Sequence, residues 1–82
     1  MANISVIGSG SWGTALAWLL RNNGHQVTLW SFLKEETEMF QRHRENIDKL
    51  PGVVLDKEVV FTSSLEESVP GRDMLVLAVP SP

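Results

Sequence analysis

The sequence predicts an α/β fold, a parallel sheet with helices on both faces in strand order 3-2-1-4, truncated after the fourth strand. Three observations point there. Short runs rich in Val and Ile alternate with helix-patterned segments, as βαβ units joined by right-handed crossovers require. A glycine-rich loop, GSGSWG, joins the first run to the first helix. The last run, MLVLAV, is apolar on both faces, as in a strand covered on both sides.

Taken in order, NISVIG (3–8) is a buried strand that ends at glycine. A helix follows over 11–23, with Trp12, Leu16, Leu19 and Leu20 on one face and Gly24 as its stop; Trp18 falls off that stripe. HQVTLW (25–30) is the second strand. KEETEMFQRHREN (34–46) reads as a charged helix anchored by Met39 and Phe40. IDKLPGVVLDKE reads as a loop with a Pro51-Gly52 turn. VVFT (59–62) is a third strand, and SSLEESVPG (63–71) a short helix that Ser64 caps with Glu67 three residues on. DMLVLAVP (73–80) is the fourth strand. In a doubly wound sheet it lies beside the first, with a fifth and sixth strand expected after it. A long apolar edge strand is a hazard that natural domains avoid, so the chain reads as the N-terminal part of a larger protein.

Bulk properties narrow the function. The 82 residues allow one small domain. A net charge of −3 gives no basic surface for nucleic acid, and the lack of cysteine removes disulfides and thiolate metal sites. No run reaches the roughly 18 apolar residues of a membrane span, and no basic apolar leader opens the chain. The reading is a soluble chain that suits a reducing cytosol.

GxGxxG alone is a weak signal, but here it ends a strand and opens a helix inside a βαβ unit. Gly8 permits the turn, Gly10 lets the backbone approach a pyrophosphate, and Gly13 lets the helix pack on the strand. Backbone N–H groups around Ser11 and Trp12 face the anion at the helix N-terminus, and Ser9 lies within the same loop. A tight turn with no ligand is the less favoured reading.

The second strand ends TLWSF, without the acid that hydrogen-bonds a ribose 2′-hydroxyl in NAD-preferring folds; the first carboxylate is Glu35, already in the next helix. That absence removes a repulsion against a 2′-phosphate. Ser31 is placed to hydrogen-bond such a phosphate and Lys34 to neutralise it, which favours NADP over NAD. Other constellations fail. There is no Gly-Lys-Ser/Thr phosphate loop, no nucleophile elbow around Ser11, and nothing spaced like a metal site. His25, at the opposite end of the sheet from the crevice, reads as structural. Arg42, His43 and Arg44 read as a solvated helix face, and Glu66 and Glu67 as favourable to a helix dipole.

The string ISVIGSGSWGTALAWLLRNNGHQVTLWS, followed by REN, LPG and LVLAVPS, resembles the start of the soluble bacterial NAD(P)-dependent glycerol-3-phosphate dehydrogenases over essentially all 82 residues. The resemblance implies a Rossmann domain, of which residues 1–82 are the N-terminal part, followed by a helical substrate domain absent from this chain. It implies reduction of dihydroxyacetone phosphate to sn-glycerol 3-phosphate for phospholipid synthesis in the cytoplasm, by direct hydride transfer with a downstream lysine as the acid. Ser11 and Trp12 would contact the cofactor, residue 32 would lie near its adenosine end, and Pro80 and Ser81 would meet its nicotinamide side. The sequence departs from the family at Phe32, where Arg or His is common, and at Pro82, where glutamine is usual. A phenyl ring stacks on adenine but cannot pair with a 2′-phosphate, so Phe32 counts against NADP. Two alternatives stay open: a hydroxyacid or phosphogluconate-type dehydrogenase, and a nucleotide-binding module with no chemistry of its own.

Overall fold

A computed structural model describes residues 1–47 and 49–78. Its elements are β1 (Asn3–Ile7), α1 (Ser11–Asn22), β2 (Gln26–Trp30), α2 (Lys34–His43), β3 (Glu45–Asn46), β4 (Leu50–Val54), β5 (Val60–Thr62), α3 (Leu65–Ser68) and β6 (Met74–Leu77). The main sheet runs β5-β2-β1-β6, with every pairing parallel. Counted by order within that sheet, the strands follow the expected 3-2-1-4 pattern.

In-register pairing puts Val6, Leu29, Phe61 and Val76 in one row across the sheet. That face holds the apolar core, where Val6, Val27, Leu29 and Phe61 meet Ala17 of α1 and Phe40 of α2. Phe40 stacks on Phe61 with ring centroids 5.0 Å apart. The opposite face is mixed, with Ser5 and Thr28 beside a row of Thr62, Trp30, Ile7 and Leu77. Ser5 pairs with Thr28 there, and the Ser5 hydroxyl donates to the Ser68 carbonyl of α3 at 2.6 Å. Helices therefore cover both faces, the second only thinly. Leu77 of β6 remains 74 % exposed.

α1 turns a different face inward from the one its large residues suggest. Gly13, Thr14 and Ala17 are buried and Leu20 packs on the core, whereas Trp12, Trp18 and Leu19 face outward. The cause is steric. A Cβ on Gly13 would lie 1.9 Å from the Gly8 carbonyl oxygen, so only the small-residue stripe fits against the sheet. Gly24, with φ +90°, ends the helix as expected, and its N–H donates to the Arg21 carbonyl. His25 is structural, its Nδ1 accepting from the Ala2 N–H at 3.2 Å. Ser64 caps α3 by accepting from the Glu67 N–H, while the Glu67 carboxylate accepts from Thr62 Oγ1 at 2.9 Å.

Three expectations need correction. α2 stops at His43 rather than residue 46, because Arg44 adopts the left-handed conformation at φ 58°. Arg44 is not part of a solvated face: its guanidinium lies 4.5 Å over the Phe61 ring and donates to the Asp56 and Val59 carbonyls. Partial burial lowers its pKa, and Asp56 opposes that shift. The presumed loop after it is an antiparallel hairpin, β3 against β4. Pro51 and Gly52 lie inside β4, where Gly52 N–H donates to the Glu45 carboxylate at 2.9 Å. A two-stranded ribbon tolerates proline because each strand is an edge.

Asp56 supplies a pH-dependent contact. The Glu58 N–H donating at 2.9 Å, and then Arg21 at 3.4 Å, hold its carboxyl below the usual carboxylate range. A depressed folded pKa stabilises above the unfolded value and is lost as pH falls through the folded one. Asp56→Asn is therefore expected to lower Tm slightly at neutral pH and to match the parent in strong acid, as read by circular dichroism melts. A shift of the same size at both pH values would exclude the carboxylate as its source.

Candidate functional site

The loop between β1 and α1 is shaped by its glycines. Gly8 has φ 122°, a conformation that side chains disfavour, and its N–H donates to the Trp30 carbonyl at 3.0 Å. Gly10 is the N-cap of α1; a Cβ there meets no protein atom within 4 Å. Two of the three glycines are thus dictated by the fold, and Gly10 is not. The first N–H groups of a helix lack intrahelical partners, and here no side chain caps them and no acid lies in the first turn. That end of α1 presents uncompensated positive potential, the condition for holding an anion.

Beside the loop is a cavity of about 260 Å³. Gly8, Ser9 and Gly10 form one wall, and Trp30, Phe32 and Leu33 from the end of β2 another. Glu36 of α2 and Lys49 of the hairpin turn complete it. Phe32 is 78 % exposed and stands edge-on to Trp30, with centroids 6.2 Å apart, so one ring is free for a planar partner. The size suits half of a dinucleotide better than all of it.

The candidate residues fare unequally in placement. Gly8, Ser9, Gly10 and Phe32 converge on this cavity, with Ser11 and Trp12 exposed at the adjoining helix start and Gly13 buried beneath it. Ser31 departs from its expected role. It is buried, and its hydroxyl donates to Ser9 Oγ at 2.6 Å, with Glu36 Oε1 at 3.3 Å. Lys34 is exposed and does not line the cavity; Lys49 is the cation that does. Pro80 lies outside the described residues.

Sequence reasoning missed two residues here. It found no acid at the end of β2, yet Glu36 brings one back from the first turn of α2, where Oε1 accepts from Ser9 Oγ at 2.9 Å. One helical step beyond Glu35, the first turn faces the loop again; helical phase was the available signal. Asn46 is the other. It is buried, and its Nδ2 donates to the Ser9 carbonyl at 2.8 Å and to Thr14 Oγ1 at 3.3 Å, tying the hairpin to the glycine loop.

Comparisons with known proteins bear on the family and the fold. Residues 3–82 match the family model described as NAD-dependent glycerol-3-phosphate dehydrogenase N-terminus. A glycerol-3-phosphate dehydrogenase (NAD(P)+) of Agathobacter rectalis is 52 % identical over 81 residues, covering 99 % of this chain and 24 % of that protein. The Fusobacterium nucleatum enzyme of the same name is 53 % identical over equal spans. The chain thus spans about a quarter of these relatives' length. Among solved structures, glycerol-3-phosphate dehydrogenase from Coxiella burnetii superposes with a TM-score of 0.90 at 32 % identity, over 98 % of this chain and 25 % of that one. By its sequence, its sheet order and the shape of its glycine loop, the chain belongs to the family of NAD-dependent glycerol-3-phosphate dehydrogenase N-terminal domains.

Proposed function

We propose that this chain is the dinucleotide-holding part of a cytoplasmic glycerol-3-phosphate dehydrogenase, which uses NADH or NADPH to reduce dihydroxyacetone phosphate to sn-glycerol 3-phosphate for phospholipid synthesis. The observation that carries the reading is the uncapped, acid-free N-terminus of α1 opening beside a cavity of about 260 Å³ at Gly10. Residues 1–82 form the N-terminal part of a Rossmann domain. The pyrophosphate lies against Gly10, Ser11 and Trp12, and the adenosine half fills the cavity beside Phe32. When bound, the nicotinamide cofactor supplies the hydride. This chain's own residues bind and orient the cofactor, and the proton donor and substrate phosphate site come from the rest of the protein. The relatives' fourfold greater length supports that division. No described helix is long and apolar enough to cross a membrane.

The test is titration of the chain with NADH and with NADPH, read by calorimetry and tryptophan emission, with Trp12→Phe identifying the reporter. Saturable binding of one of the two is expected. Gly10→Ala is expected to keep the parent Tm, since its Cβ meets no protein atom, and to weaken binding by about tenfold or more, equivalent to about 1.4 kcal/mol. A folded chain that binds neither cofactor at millimolar concentration overturns the proposal.

A further inference from the structure

We infer that Glu36 sets the choice between the two cofactors, and that this crevice selects the nucleotide with a free ribose 2′-hydroxyl, NADH, over the 2′-phosphorylated NADPH. The inference rests on the cofactor reading above. In doubly wound sheets the ribose lies at the end of the second strand, next to the glycine loop. Here that place is the cavity wall formed by Trp30, Phe32 and Leu33, and Glu36 is the carboxylate on it. Its position is fixed by a relay in which Ser31 Oγ donates to Ser9 Oγ at 2.6 Å and Ser9 Oγ donates to Glu36 Oε1 at 2.9 Å, with Ser31 Oγ 3.3 Å from that same oxygen. The three side chains form one small network bridging the glycine loop, the end of β2 and the start of α2.

The network has a direction. Both serine contacts fall on Oε1, and among the described residues Oε2 takes no hydrogen bond. A carboxylate oxygen left without a donor at a ribose site accepts from a hydroxyl and repels a phosphate. Ser31, the one residue of the β2 end that looked able to greet a 2′-phosphate, instead spends its donor inside the network. Lys49 brings a cation to the same cavity from the hairpin turn. It sits on an exposed stem, however, whereas Glu36 is held. The held acceptor sets the discrimination, because a phosphate cannot displace it without breaking the Ser9 bond.

The experiment is calorimetric binding of NADH and NADPH to the full chain, its Glu36→Gln variant and a Glu35→Gln control. Glu35 is exposed and off the cavity, so its variant makes the same change in net charge without touching the site. The parent is expected to bind NADH about tenfold or more tighter than NADPH, a discrimination of the size one unmatched charge produces. Glu36→Gln is expected to bring the ratio to within about twofold by strengthening NADPH, and Glu35→Gln to leave it unchanged. Raising the salt concentration is expected to narrow the parent's ratio, since a charge repulsion is screened. Equal or tighter binding of NADPH by the parent overturns the inference and leaves the cofactor reading intact, as does a Glu36→Gln ratio that stays where the parent's was. Binding of neither cofactor by a folded parent overturns both.

Discussion

Gly13→Ala is expected to destabilise the fold by at least about 3 kcal/mol, at the upper end of what overpacking a well-fitted site costs. The added Cβ would lie 1.9 Å from the Gly8 carbonyl oxygen and 2.8 Å from its carbon, and both are backbone atoms that no rotamer change can move aside. Gly8 itself cannot retreat easily. Its N–H is bonded to Trp30, its φ is already 122°, and β1 on its N-terminal side is paired on both edges. For a domain of this size the cost corresponds to a fall in Tm of about 12 °C or more. Thermal melts of the two proteins followed by circular dichroism decide it, and a Tm within about 2 °C of the parent would mean that helix and strand are not in the close contact described. Set beside Gly10→Ala, which should leave Tm alone, the pair separates the glycine the fold requires from the one the ligand requires.

Asn46→Ala is expected to be the second most damaging single change, at about 2–3 kcal/mol, because it removes a buried amide that donates to two acceptors, leaving the Ser9 carbonyl only its 3.2 Å bond from Thr14 Oγ1. Its amide serves the Ser9 carbonyl and the Thr14 hydroxyl, and its Oδ1 accepts from the Lys49 N–H at 3.1 Å. Loss of these bonds also unfastens the hairpin. Amide exchange should show this locally, with faster exchange in Leu50–Val54 and little change in β1 and β2. Uniform acceleration across the whole chain would instead assign Asn46 a role in global stability alone.

The parts of the fold that were legible in the sequence are those fixed by neighbours along the chain. Buried parallel strands are apolar runs, and a strand–glycine–helix junction announces itself within ten residues. The 3-2-1-4 order followed from those and from the handedness of crossovers. What stayed hidden depends on partners far away in sequence. Arg42, His43 and Arg44 look alike locally, yet only Arg44 finds Phe61 and two carbonyls of the segment before it. β3 and β4 carry no period-two apolar pattern, since Asn46 on the ribbon is held by polar contacts to the glycine loop 37 residues earlier. The inward stripe of α1 was misread because hydrophobicity marks bulk, and here the sheet admits only Gly13, Thr14 and Ala17. In the site, the glycines could be read directly. Glu36 could not, because an acid's usefulness there depends on the turn of a helix and on which hydroxyls hold it.

The position of β1 has a consequence for how the chain reaches this structure. β1 leaves the ribosome before every other element described, yet it is an inner strand of the sheet, and one of its two partners is β6, the last strand described. Asn3 and Asp73, 70 residues apart, exchange hydrogen bonds at the start of that pairing. Long-separation pairing of this kind is slow, because the loop must close before any contact rewards it. β1, α1 and β2 can assemble early as a local unit, but one edge of β1 stays open throughout synthesis of the following forty-odd residues. The Ser5 hydroxyl, which needs the Ser68 carbonyl, is unpaired over the same interval. The nascent chain thus carries β1 half-matched until β6 emerges, and that interval is when this segment most needs protection by a chaperone.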